Sequence, residues 1–143
     1  MTQQQRRVNR EMESRRDAGR GLTRAAREYV EAHSEEKFSL QAVADALFVN
    51  GSYLLRVFKA NTGHTLLWYH NHIRCERAKA LLRSGSISIS QVGEQVGFVS
   101  SAHFSHVFKK MTGMTPSDYR LANAPSERPR KERRWKKRQK PPA

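Results

Sequence analysis

Two short stretches of the chain carry side chains suited to reading a nucleic-acid duplex. Ser52, Arg56 and Lys59 recur three and four residues apart, and Ala102, His106 and Lys109 repeat that spacing fifty residues on. Small residues let a backbone approach base edges. Arginine can donate two parallel bonds to guanine O6 and N7, and lysine neutralises phosphate. The competing chemistries are poorer. His64, His70, His72 and Cys75 contain metal-ligating atoms, yet no CxxC or HxxxH frame joins them. His103 and His106 share a helical stretch, with no carboxylate near them to complete a catalytic set. No glycine-rich phosphate loop or paired-carboxylate pattern is present, so neither an enzyme nor a bound cofactor or metal is expected. Cys75 lies on an apolar stripe and is expected to be a buried thiol.

Composition narrows the setting. Among 143 residues, 27 are Lys or Arg and 13 are Asp or Glu, a net charge of +14 that favours a polyanionic partner, nucleic acid before membrane. The excess is +3 in residues 1–21, +4 in 22–122 and +7 in 123–143. A single cysteine allows no intramolecular disulfide and fits a reducing, cytoplasmic home. No apolar run approaches the ~18 residues of a membrane span, and the N-terminus lacks the apolar stretch of a secretory signal.

The elements that would position these residues are helical. Leu22, Ala25, Ala26, Tyr29 and Val30 give an amphipathic helix over about 22–34, following a basic head, 1–21, expected to be flexible and in part helical. Ser39 caps a short helix to about Ala46, and a third helix over 50–62 closes at Gly63. Thr65 caps a long helix to about Arg83. Ser88 and Gln91 form a capping box for a fifth helix over 89–96. Ser100 starts a sixth, to about Met111, closed by Gly113. Thr115-Pro116 opens a seventh with Asp118 in its first turn, ending near Leu121. Residues 123–143 hold four of the five prolines and nine basic groups. They are expected to be disordered, to add phosphate contacts, or alternatively to bind RNA with Trp135 stacked on a base.

The chain also repeats itself. At an offset of 50, Val57-Phe58-Lys59 matches Val107-Phe108-Lys109, Thr62-Gly63 matches Thr112-Gly113, Thr65 matches Thr115 and Tyr69 matches Tyr119. Upstream the offset is 49, Ala44 against Gly93, so one turn is a residue longer. Two copies of a short helix, a turn and a longer helix make two helix-turn-helix units. On the wheel of each longer helix, Leu54, Val57 and Phe58, or Phe104, Val107, Phe108 and Met111, face inward. Ser52, Arg56 and Lys59, or Ala102, His106 and Lys109, face outward, with Leu55 and Ser105 on the flanks. The fourth helix carries two opposed stripes, Leu66, Tyr69, Ile73 and Ala80 against Trp68, Cys75 and Leu82, as expected of a helix sandwiched between the units. Its ~18 residues rise about 27 Å, close to the ~34 Å turn of B-DNA.

The second unit, Ile89-x-x-Val92-Gly93-x-x-x-Gly97-Phe98-x-Ser100-x-x-His103-Phe104-x-x-x-Phe108-Lys109-x-x-x-Gly113-x-Thr115-Pro116-x-x-Tyr119-Arg120, resembles the signature of the AraC/XylS family of bacterial transcription regulators. Leu40, Val43, Ala44, Leu54, Arg56, Phe58, Lys59 and Gly63 resemble the family's weaker N-terminal half, so the likeness covers about residues 22–121. With no room for an effector-binding domain, the chain is similar to the short stand-alone MarA/SoxS/Rob type. That resemblance implies DNA binding as a monomer and recruitment of RNA polymerase. It places the base-reading positions on Ser52, Leu55 and Arg56, and on Ser101, Ala102, Ser105 and His106. Three residues depart from the pattern: Leu55 replaces a polar reader, His106 replaces an arginine, and Phe48 stands at the usual turn glycine.

The expectation is therefore an all-α, homeodomain-like chain of seven helices. It comprises a head (1–21), a first helix-turn-helix subdomain (22–64), a linker helix (65–84), a second helix-turn-helix subdomain (85–122) and a basic tail (123–143). Arg56 and His106 are the principal base readers, and Lys59, Lys109, Lys110 and Ser100 contact phosphates. The expected function is that of a sequence-specific activator on double-stranded DNA, nucleoid-associated when bound. The alternative is a protein-interaction module that modulates RNA polymerase or another regulator with weak operator specificity.

Overall fold

A computed structural model describes residues 2–124. Among the described residues there are seven helices and no strand: α1 (Gln3–Ala32), α2 (Leu40–Ala46), α3 (Gly51–Thr62), α4 (Leu66–Ser84), α5 (Ile89–Val96), α6 (Ser101–Thr112) and α7 (Pro116–Ala122). The all-helical expectation holds. The basic tail from residue 125 onward, including Trp135, lies outside the described residues. The chain divides into two compact units, one ending at Ile73 and the other beginning at Arg74.

Local chemistry sets the helix ends. Free backbone N–H groups at a helix start need an acceptor, and a small polar side chain supplies it. Ser39, Asn50, Ser88, Ser100 and Thr115 each accept from backbone N–H groups two or three residues on, and Gln91 returns a bond to Ser88 N–H to complete the capping box. Thr65 accepts from Trp68 N–H at 3.0 Å. At the far ends of α3 and α6, Gly63 and Gly113 sit at φ 81° and 86°. There, the Thr62 hydroxyl donates to Phe58 C=O at 2.8 Å and accepts from His64 N–H at 3.1 Å. Thr112 makes the matching pair with Phe108 and Met114 at 2.7 and 3.2 Å. The sequence repeat is thus a repeat of hydrogen bonds.

One helix begins far earlier than its apolar spacing indicates. The first amphipathic helix was expected over 22–34, whereas α1 starts at Gln3, capped by Thr2. Its first four turns are exposed and draw on the helix propensity of Gln, Arg, Glu and Met instead of burial. The first tertiary packing comes at Gly19, where an added Cβ would lie 3.3 Å from Asn61 Nδ2 and 3.5 Å from Val57 Cγ1.

In the first unit, α1, α2 and α3 close around Ala26, Val30, Val43, Ala44, Leu54, Phe58 and Leu66. Tyr69 packs against this core, its ring 5.9 Å from that of Phe58. Its hydroxyl donates to the Glu31 carboxylate at 2.6 Å. Burial, with this bond, pushes the phenol up to about 12. The phenol therefore favours the folded state below its ordinary value near 10, and that contribution is lost as pH rises through about 12. In the second unit, α5, α6 and α7 pack with Cys75, Ala78 and Leu82 around Val92, Val96, Phe98, Phe104, Val107 and Phe108. Cys75 is a buried thiol, pushed up to about 11 by desolvation and so unreactive. Buried Arg74 lays its guanidinium 5.1 Å from the centre of the Phe98 ring. Burial draws its pKa down.

The long helix serves the two cores in sequence. Leu66, Tyr69 and His70 on its first half face the first core, and Cys75, Ala78 and Leu82 on its second half face the second. Each apolar stripe is therefore used over only half its length. Ala80, assigned to the first stripe, is exposed because that stretch turns Ala78 and Leu82 inward. Trp68, assigned to the other stripe, is half-buried and stacks between the rings of His64 and His72 at 3.6 and 4.9 Å.

Two contrasts between the units generate tests. In the turns, Val49 N–H bonds to Ala44 C=O at 3.0 Å and Phe98 N–H to Gly93 C=O at 2.9 Å, the same closure. The second unit makes it with Gly97 at φ 110°, the first with Phe48 at φ 58°, its ring 93% exposed. A non-glycine residue held there costs about 1–2 kcal/mol, partly offset in a glycine variant by greater unfolded-chain entropy. Phe48→Gly should therefore raise stability by about 0.5 kcal/mol or more in urea unfolding; a loss would mean that the exposed ring has a packing role. Second, a Cβ at Gly93 would lie 2.7 Å from Phe104 Cδ2, while the matching pair in the first unit is Ala44 and Leu54, both fully buried. Gly93→Ala should cost about 1–3 kcal/mol by overpacking, and Phe104→Leu in the same chain should recover part of that loss in a double-mutant cycle.

Candidate nucleic-acid interface

Each longer helix is held by its inner face. Leu54 and Phe58 of α3 are fully buried, as are Phe104 and Phe108 of α6, and these anchors set the rotation of each helix about its axis. The opposite face follows from that rotation. Ser52, Arg56 and Lys59 are exposed on α3, and Leu55 is 39% exposed on the flank. On α6, Ser101, Ala102, His106, Lys109 and Lys110 are exposed and Ser105 is half-buried. The spacing thus brings Ser52, Leu55, Arg56 and Lys59 together on one surface of the first unit. It brings the α6 set together on one surface of the second.

Charge on these helices has one sign. Neither α3 nor α6 contains an Asp or Glu, and each ends on basic residues, Lys59 in the first and Lys109 with Lys110 in the second. Lysines at a helix C-terminus interact favourably with the helix dipole and remain free to meet phosphate. Among the described residues Arg56 has no ion-pair partner. Its guanidinium carbon lies 5.3 Å from the centre of the Tyr53 ring.

Several residues around this surface have structural duties. Ser100 accepts from His103 N–H at 3.0 Å, so its hydroxyl caps α6. Asn50 does the same for α3, accepting from Ser52 and Tyr53 N–H at 2.8 and 3.2 Å. His103 packs edge-on to Phe98 at 5.4 Å. Tyr53 was passed over; the signal for it was an aromatic residue three positions before an arginine on one helix. Among the described residues no three His, Cys, Asp or Glu gather as metal ligands. No helix there is long and apolar enough to cross a membrane.

Two helix-turn-helix units with cationic outer faces define a DNA-binding helix-turn-helix protein. The sequence profile described as "Helix-turn-helix domain" matches residues 43–122. The chain is 35% identical over 98 residues to the arabinose operon regulatory protein of Escherichia coli, covering 68% of this chain and 35% of that protein. It is 37% identical over 86 residues to the transcriptional activator RhaR of Salmonella dublin, covering 60% of this chain and 30% of the relative. A solved structure, a transcriptional regulator with an AraC-type DNA-binding domain from Chromobacterium violaceum, superposes with a TM-score of 0.69 at 31% identity, covering 77% of this chain and 98% of that one. The chain spans between about a fifth and a third of the length of the curated relatives it matches. It belongs to the AraC/XylS family of DNA-binding transcription regulators.

The cap assignment separates support from DNA contact. Ser100→Ala should lower stability by about 1 kcal/mol, and Ser100→Asn should restore it, as measured by urea unfolding. DNA binding by folded Ser100→Asn should match the parent protein; a selective loss there would show that the hydroxyl itself meets the duplex.

Proposed function

We propose that the chain is a sequence-specific activator that reads two adjacent major-groove segments as a single molecule, with α3 in one and α6 in the other. The observation that carries this reading is the register of the two outer faces. Small residues come early and basic residues late on both helices, fifty positions apart and with no acidic group on either helix. Small side chains at the entering end allow close approach, and the cations further along meet the phosphate walls. Half-sites about one duplex turn apart are expected of a pair of helix-turn-helix units.

In this reading Arg56 and His106 are the principal base readers. Ser52, Leu55, Ser101, Ala102 and Ser105 shape the contact surface, with Leu55 offering only an apolar touch to a thymine methyl. Lys59, Lys109 and Lys110 hold phosphates. Ser100, beyond capping α6, places its N-terminus near the backbone. Activation through RNA polymerase is supported by the likeness to a relative that is itself a transcriptional activator. The site of action is the chromosome, in the cytoplasm.

Selection from random duplexes tests the proposal. One enriched bipartite motif, with half-sites about 10 base pairs apart, is expected. Salt-sensitive binding without an enriched motif would overturn it in favour of a protein-interaction role. Within the motif, Arg56→Ala should cost about 1–3 kcal/mol and relax preference at one base pair. Lys59→Ala should weaken all sequences alike and reduce the salt slope by about one. Equal loss on selected and scrambled DNA would reassign Arg56 to a phosphate contact.

A further inference from the structure

Recognition by arginine has a conformational cost. The side chain has four rotatable bonds, and the two-bond contact to guanine needs the guanidinium plane aimed end-on at the base edge. A free arginine on an exposed helix face spends most of its time elsewhere. Arg56 is not in that condition: its guanidinium carbon lies 5.3 Å from the centre of the Tyr53 ring, within the range where a cation is drawn to an aromatic face. The pair is three residues apart on α3, so the helix itself supplies the registry. The Tyr53 backbone is held near the helix start, where its N–H donates to Asn50 Oδ1 at 3.2 Å. Its ring is 40% exposed, beside the outer face and outside the buried core.

The second unit shows what the first gains. The matching positions there are His103 and His106. His103 turns edge-on to Phe98, 5.4 Å away, so its ring is committed to the turn of its own unit. The Tyr53–Arg56 pairing belongs to the first unit alone.

We propose that Tyr53 is a positioning residue for base recognition: its ring is a shelf that holds the Arg56 guanidinium ready for a base edge and thereby sharpens sequence preference in the first half-site. The proposal rests on the reading of Arg56 as a base reader. A cation–aromatic contact at an exposed site corresponds to about two- to fivefold in discrimination.

The test compares Tyr53→Phe, Tyr53→Leu and Tyr53→Ala, each with and without Arg56→Ala, in competition binding on duplexes varied one base pair at a time. Tyr53→Leu and Tyr53→Ala should lose about two- to fivefold in preference at the base pair that Arg56→Ala relaxes. Other positions and the salt slope should not change. Tyr53→Phe should keep full preference, and no Tyr53 change should matter once Arg56 is alanine. His103→Ala, the matching change in the second unit, should leave that base pair untouched. In the free protein, the Arg56 Nε–H resonance should carry a ring-current shift that persists in Tyr53→Phe and vanishes in Tyr53→Leu. If Tyr53→Phe loses as much as Tyr53→Ala, the hydroxyl touches DNA directly and the shelf is overturned. A uniform loss at every base pair also overturns it. If Arg56→Ala itself leaves every preference intact, the reading of Arg56 fails and this proposal fails with it, a result distinct from a Tyr53 change without effect beside a functioning Arg56.

Discussion

The rotation of two helices about their own axes is the constraint on which this molecule's chemistry depends. A side chain on an exposed helix face points where its helix is turned, and the turning is done from behind. Leu54 and Phe58 in α3, and Phe104 and Phe108 in α6, have no exposed surface at all. Twisting either helix by one residue, about 100°, would drag an aromatic ring into water and push a cation into the core. Apolar burial therefore aims the polar groups, and the cationic faces are a consequence of the packing.

The two units meet the same demand with different parts. The second places glycine opposite a phenylalanine and glycine in its turn. The first uses alanine opposite leucine, and Phe48 where the turn wants glycine. The sum of volumes across the contact is kept while its division changes, which is how cores of one architecture tolerate divergent sequences. The turn is a different case, because backbone geometry leaves no volume to trade, and Phe48 takes the left-handed conformation with its ring almost wholly in solvent.

Much of this was legible in the sequence because helix ends and inner faces are written locally. A serine three residues before a glutamine, a threonine before a proline, or a glycine after a basic turn each specify a hydrogen bond within a few residues, and those bonds are present. The inner faces followed from three- and four-residue spacing. What escaped was of two kinds. The first turns of α1 bury almost nothing, so they carry no periodic signal, and only Thr2 and overall helix propensity mark them. The other kind needed the third dimension. Ala80 sits in apolar register yet faces solvent, because α4 changes the side it presents midway. Spacing alone gives Tyr53 no role, and only the folded helix sets the Arg56 guanidinium over its ring.

That midway change has a thermodynamic consequence. One uninterrupted helix lends its opening half to one core and its closing half to the other. Each half, on its own, is a segment of fewer than about 12 residues, too short to persist in water without tertiary support. Each half of α4 therefore depends on its own core for the support that keeps it wound. The frontier between the two compact units falls inside a regular helix, and no loop marks it.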